Sequence, residues 1–160
     1  MEIIQATPRI ILVGMGATLV MDLWLMVLRH HGIPTQPIGL IGRWVGHLLR
    51  GRAIHPAIAS ATPIAHEVLL GWAAHYALGV AFALLLVALS GARWLSAPTL
   101  SEALVLGVGT VAVPFLVTQP AMGSGIAASR TAAPMKNRLR AVANHAVFGL
   151  GLYLSASLLA

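Results

Sequence analysis

Asp22, His75 and His145 stand inside stretches of this sequence that are otherwise built for lipid. Asp22 interrupts an apolar run from Ile10 to Leu28 and is the one acidic residue inside any of four such stretches. A carboxylate near the middle of a lipid-crossing helix costs about 2.5 to 3.5 kcal/mol on insertion scales, so it should face protein or water and have a partner. The two histidines are the candidate partners. An imidazole titrates near neutrality, and a neighbouring carboxylate favours its charged form, so the trio suits holding a proton or an ion while a small polar solute binds.

Other chemistry is open to the same three residues. Two histidines and one carboxylate have the make-up of a facial metal triad with open positions. His75 and His145 on facing helices could also be axial haem ligands, with Gly79, Gly149 and Gly151 leaving room for a flat macrocycle. The plain alternative is an interhelical hydrogen bond that only holds the bundle together, worth about 0.6 kcal/mol on average. No Ser-His-Asp arrangement or glutamate-rich di-iron pattern points to an enzyme, and Gly123-Ser-Gly125 follows no strand, which makes it a poor phosphate loop. Cysteine is absent, which removes disulfides, thiolate metal sites and iron–sulfur clusters.

The elements that must carry these residues follow from composition. Hydrophobic residues make up 58% of the chain and charged residues 9%, against roughly 25% charged in a soluble domain, so a membrane protein is expected. The net charge of +6 lies in the gaps between apolar runs, where lipid head groups and topology account for it, and nucleic acid is not an expected partner. Pro8, Pro63, Pro98 and Pro134 each precede an apolar run, as proline does at a first helical position. Thr7 and Thr62 are placed to act as N-caps, and Thr99 with Glu102 has capping-box spacing. The expected helices are 8–30, 63–90, 98–120 and 134–159, in a single domain covering 1–160. The first is too long, and lacks the small-residue cleavage site, for a removable signal peptide.

Four-residue spacing puts Gly14, Thr18 and Asp22 on one face, as it does Gly71, His75 and Gly79, and Ala141, His145 and Gly149. Such small-residue stripes let membrane helices approach closely. At 1.5 Å per residue, Asp22 is about 10 Å from Arg29, His75 about 12 Å from Glu67 and His145 about 8 Å from Arg140, which puts all three in one half of the membrane. Pro114 should open a kink at this level, with Thr118 and Gln119 following it as further candidate site residues. Gly14-x-Gly16 matches Gly107-x-Gly109, and His75-x-x-x-Gly79 matches His145-x-x-x-Gly149, a pattern compatible with two tandem helical hairpins.

Arg29, Arg43, Arg50 and Arg52 mark the first gap, and Arg130, Lys136, Arg138 and Arg140 the third, so the positive-inside rule makes both cytoplasmic. Within Ile38 to Arg52, an apolar stripe of Ile41, Trp44, Val45, Leu48 and Leu49 opposes Arg43, His47 and Arg50. That pattern describes an interfacial amphipathic helix, with Arg43, Arg50 and Arg52 directed at anionic lipid head groups or the helix serving as a lid. The segment from Gln119 to Thr131 reads as a mobile gate or a helix exit. A homo-oligomer is left open.

The segments Met21 to Trp24, Gly42 to His47, Gly71 to Tyr76, Gln119 to Arg130 and His145 to Tyr153 together resemble a bacterial membrane-protein family, domain of unknown function 2938. Gln-Pro-x-Met-Gly-x-Gly, beginning at Gln119, is the most specific part. The resemblance spans nearly the whole chain and implies a small multi-pass protein of the bacterial inner membrane; with the arginine bias, both termini would be periplasmic. The expected structure is an all-α, four-span bundle. Its expected function is proton-linked binding or transport of a small polar solute or ion at Asp22, His75, His145, Thr118 and Gln119. A haem or metal protein, including a membrane oxidoreductase, and a structural assembly partner are the alternatives.

Overall fold

The computed structural model describes residues 3–160, with side chains from Ala6 onward. Its elements are α1 (Ile3–His30), α2 (Ile38–Leu48), α3 (Glu67–Ser90), α4 (Leu100–Gly109), the short α5 (Gln119–Ala121) and α6 (Pro134–Leu158), and no strand occurs among the described residues. Four stretches are long and apolar enough to cross a membrane: Ala6–His30, Glu67–Ser90, Leu100–Ala121 and Pro134–Leu158. The chain is thus an all-α membrane protein. It divides into two compact units. Unit one holds the residues up to Pro34 with Tyr76–Thr110 and Val142–Ala160, and unit two holds Thr35–His75 with Val111–Ala141.

Helix α6 begins at Pro134 as the proline rule expects. The other three starts differ, each for a local reason. Pro8 lies inside α1, which begins earlier. Pro63 does not start α3, because His66 adopts a left-handed backbone (φ 59) that a helix cannot run through, and the helix begins at Glu67. Thr62 is accordingly no N-cap, and its carbonyl instead lies 2.9 Å from His47 Nε2. Thr99 occupies the N-cap position of α4, yet its hydroxyl donates to the Glu102 carboxylate and accepts no backbone N–H.

The third span is interrupted at the expected place. Helix α4 ends at Gly109, and Pro114–Thr118 winds as a π-helix before α5. Pro114 has no N–H to return to the Thr110 carbonyl, so regular winding cannot pass through it. Single π turns of this kind are frequent at functional sites.

Unit one is held by glycine-mediated crossings. A Cβ on Gly14 would stand 2.5 Å from the Val80 Cα and 2.8 Å from the Gly79 carbonyl oxygen. One on Gly107 would stand 2.5 Å from the Gly149 Cα. These are the glycines that correspond in the repeated pattern, so each hairpin closes on the same pair. The second glycines diverge: Gly16 meets the Ser155 side chain, whereas nothing lies within 4 Å of Gly109. Around the crossings, Val13, Ala17, Leu86, Val87, Phe148 and Leu152 are fully enclosed and form the core.

Unit two is organised by α2, whose polar side is its inner side. Gly42, Gly46 and His47 are buried, while Leu48 and Leu49 are exposed. Gly42 is pressed against the Glu67 carbonyl and Gly46 against Ile64, contacts that a side chain would prevent.

Candidate functional site

In unit one, α1 and α3 run antiparallel, and three contacts descend along them. Gly14 lies against Gly79 and Val80, Thr18 reaches Gly79, and Asp22 accepts a hydrogen bond from the Tyr76 hydroxyl at 3.0 Å. The close approach forced by Gly14 and Gly79 is what lets a tyrosine one turn away reach the carboxylate. Asp22 is 8% exposed, so its carboxyl group is enclosed by protein and not presented to lipid. Thr18 is also buried and turns its hydroxyl back to the Gly14 carbonyl at 2.8 Å, which satisfies it without water.

The α4–α6 crossing fixes the position of His145. Its Nδ1 lies 2.8 Å from Thr110 Oγ1, and that hydroxyl donates its single proton to the Gly107 carbonyl at 2.6 Å. The contact orients the imidazole against α4, with the donor and acceptor roles of its nitrogens set by the ring tautomer. Beside it in sequence, Asn144 Oδ1 accepts from Trp24 Nε1 at 2.9 Å and ties α6 to α1.

Unit two carries a second polar set. Arg43 makes a two-pronged ion pair with Glu67, Nε to Oε2 at 2.8 Å and Nη2 to Oε1 at 2.9 Å, and its Nη1 donates to the carbonyls of Ala59 and Ala61. The hydrogen bonds to Glu67 hold the guanidinium above its ordinary pKa. His47 donates from Nε2 to the Thr62 carbonyl, and its ring meets that of His55 edge to face with centroids 4.9 Å apart. His55 is 2% exposed, and neither ring nitrogen has a hydrogen-bond partner among the described residues. Burial pushes its pKa down, and His47 and Arg52 add to the effect.

Asp22 and His145 thus belong to unit one, and His75, Thr118 and Gln119 to unit two. His75 is half-buried with its ring edge-on to Trp72 at 6.0 Å. Thr118 ends the π-helix and Gln119 opens α5, with the Gln119 Oε1 buried and unbonded among the described residues. Two expectations need correction. Arg43 does not face head groups: its side chain is 12% exposed and locked to Glu67, whereas Arg50 and Arg52 do lie exposed. Among the described residues, no group of three or more His, Cys, Asp or Glu could hold a metal ion, so a three-ligand centre on Asp22, His75 and His145 lacks structural support.

Sequence reasoning passed over Tyr76, Thr110 and the Arg43–Glu67 pair. A signal existed for the last. The chain has only four acidic residues, so an arginine on an otherwise apolar helix had few possible partners, and Glu67 was one of them.

A family model described as protein of unknown function (DUF2938) matches residues 11–159, and the chain belongs to that family. No curated protein matches the chain. No solved structure matches it either.

Proposed function

We propose that this DUF2938 membrane protein binds a small polar solute or ion and couples its passage across the bacterial inner membrane to a proton held at Asp22. The observation that carries the reading is the Asp22 carboxylate itself, buried within the span Ala6–His30 and hydrogen-bonded by Tyr76. An intramembrane carboxylate is expensive to insert, and such groups mark proton and ion pathways. Two further features support it. His145, held beside Thr110, brings an imidazole, a group able to carry a proton, into the same unit as Asp22. The π-helix at Pro114–Thr118 interrupts the third span just before Gln119 and gives backbone there a way to bond outside the regular helix. In this reading His75, Thr118 and Gln119 are further candidate polar groups for the solute. Both basic gaps face the cytoplasm and both termini the periplasm.

The reading is tested in proteoliposomes that enclose a pH-sensitive dye and carry an imposed pH gradient. A panel of small amines, amino acids, carboxylates and monovalent cations is added from outside. At least one class should discharge the gradient through the wild-type protein and fail to do so through Asp22→Asn. Identical responses from wild type, Asp22→Asn and empty liposomes across the panel would overturn the reading. Orientation is tested separately: reporter fusions after His55 and Pro134 should report cytoplasm, and one at the C-terminus should not.

A further inference from the structure

Unit two contains a cleft of about 460 Å³, within the range of ligand sites, whose walls include Ile54, Val117, Pro120 and Ile126 together with Ser129 and Arg130. Three of its apolar residues are largely exposed: Ile54 at 76%, Val117 at 52% and Ile126 at 62%. Val117 and Pro120 belong to the last turns of the span Leu100–Ala121, so the cleft stands at the end of a stretch apolar enough to cross a membrane.

The charge of the cleft is equally specific. Arg43 is neutralised by Glu67 and Arg138 Nε donates to the Ala127 carbonyl, whereas the Arg130 guanidinium has no hydrogen bond or ion pair among the described residues. No carboxylate lines the cleft. The loop that presents Arg130 is also tightly determined. Gly123 (φ 98) sits against the Pro56 carbonyl, Gly125 (φ 74) against the side chains of Ser129 and Arg130, and Ala127 and Ala128 both take left-handed conformations. A side chain on Gly125 would push directly on Ser129 and Arg130. Strained backbone of this kind persists where surrounding contacts impose it, and it gathers at ligand clamps.

We propose that this cleft seats one anionic phospholipid, its phosphate on the Arg130 guanidinium and the Ser129 hydroxyl and its acyl carbons along Ile54, Val117 and Ile126. The flat, forked guanidinium matches phosphate oxygens, and the exposed apolar wall matches an acyl chain better than it matches water. The charge that answers lipid in this part of the chain is therefore Arg130, not Arg43.

Native mass spectrometry of the detergent-purified full chain tests the proposal, with phosphatidylglycerol, phosphatidylcholine or inorganic phosphate as the added probe. The wild type should retain one phosphatidylglycerol in clear preference to phosphatidylcholine. Arg130→Gln, an exposed change that leaves the helical circular dichroism and melting intact, should weaken that retention about tenfold or more. Arg50→Gln, on an arginine that does not line the cleft, should leave it unchanged. Ile126→Asp should also weaken it, since an added carboxylate repels the head group and wets the acyl wall. Equal retention of the two lipids, or full retention in Arg130→Gln, would overturn the proposal. Displacement of the lipid by millimolar inorganic phosphate alone would overturn it in favour of a soluble anion.

Discussion

Gly107 and Gly149 meet backbone to backbone: a Cβ on Gly107 would stand 2.7 Å from both the Gly149 nitrogen and the His145 carbonyl oxygen, and one on Gly149 would stand 2.7 Å from the Ala103 carbonyl oxygen. Because His145 and Thr110 flank this contact, the distance between α4 and α6 also sets the Thr110–His145 hydrogen bond. A methyl group at either glycine must separate the helices and stretch that bond.

Gly107→Ala and Gly149→Ala should therefore lower the melting temperature in detergent by several degrees, in the direction expected for overpacking at about 1 to 3 kcal/mol. Gly109→Ala supplies the control, since nothing lies within 4 Å of that position and alanine is the better helix former. A Gly109→Ala variant that melts as early as Gly107→Ala would mean that glycine matters here for backbone flexibility and not for close approach.

Asp22 and Tyr76 give a prediction that separates structure from function. Tyr76→Phe removes the donor and keeps the ring, so the loss should be about 0.6 to 1.7 kcal/mol, the size of interhelical hydrogen bonds in membranes. Asp22→Asn keeps an acceptor for Tyr76 but cannot hold a proton at that place. It should melt within a few degrees of the wild type while losing any proton-coupled flux. If Asp22→Asn is instead as unstable as Asp22→Ala, the carboxylate is a packing element and the proposed coupling loses its basis.

Much of the fold was legible because lipid simplifies the reading. Apolar runs, proline positions and small-residue stripes are enough to place spans and their close contacts, and the matched glycines of the two hairpins do close on each other as their spacing implied. Helix starts were less legible. His66 stops α3 through its backbone conformation, which residue type does not announce. Partner choice was harder again. Tyr76 stands three residues before Gly79 on the face that meets α1, a spacing that does not by itself announce its hydrogen bond to Asp22. Amphipathicity misled for Arg43 because a polar stripe shows where polar groups point, not whether water or Glu67 receives them.

The Arg43–Glu67 pair should be essential to the seating of α2 on α3. Arg43→Lys keeps the charge but loses the fork, so it should lose part of the thermal stability and expose the connection between the helices to protease. Arg43→Ala should lose more, because it also abandons the Ala59 and Ala61 carbonyls. The exchange Arg43→Glu with Glu67→Arg should recover only part, since a glutamate cannot donate to those carbonyls. Full recovery on exchange would show that the ion pair alone matters.

His55 predicts a pH dependence with a definite sign. The folded protein holds this imidazole below its ordinary pKa of 6.5, chiefly by burial, with the nearby charges of His47 and Arg52 acting in the same direction. Above that value the ring is neutral in both the folded and the unfolded chain, and stability does not depend on it. Below it the unfolded chain accepts a proton that the folded chain resists, so stability falls with falling pH until the lowered folded value is passed and the loss levels off. The loss should appear at the segment that His55 anchors, where its own N–H donates to the Ala121 carbonyl at 2.8 Å and the Ile58 N–H donates to Met122 at 3.0 Å. Hydrogen exchange of these two amides, corrected for the intrinsic pH dependence of exchange, should show protection that is flat from pH 8 to about 6.5 and declines below it. His55→Leu fills nearly the same volume with no ionisable group and should remove the decline. A decline of unchanged slope in His55→Leu would transfer the titration to another group in contact with the segment, His47 first among them.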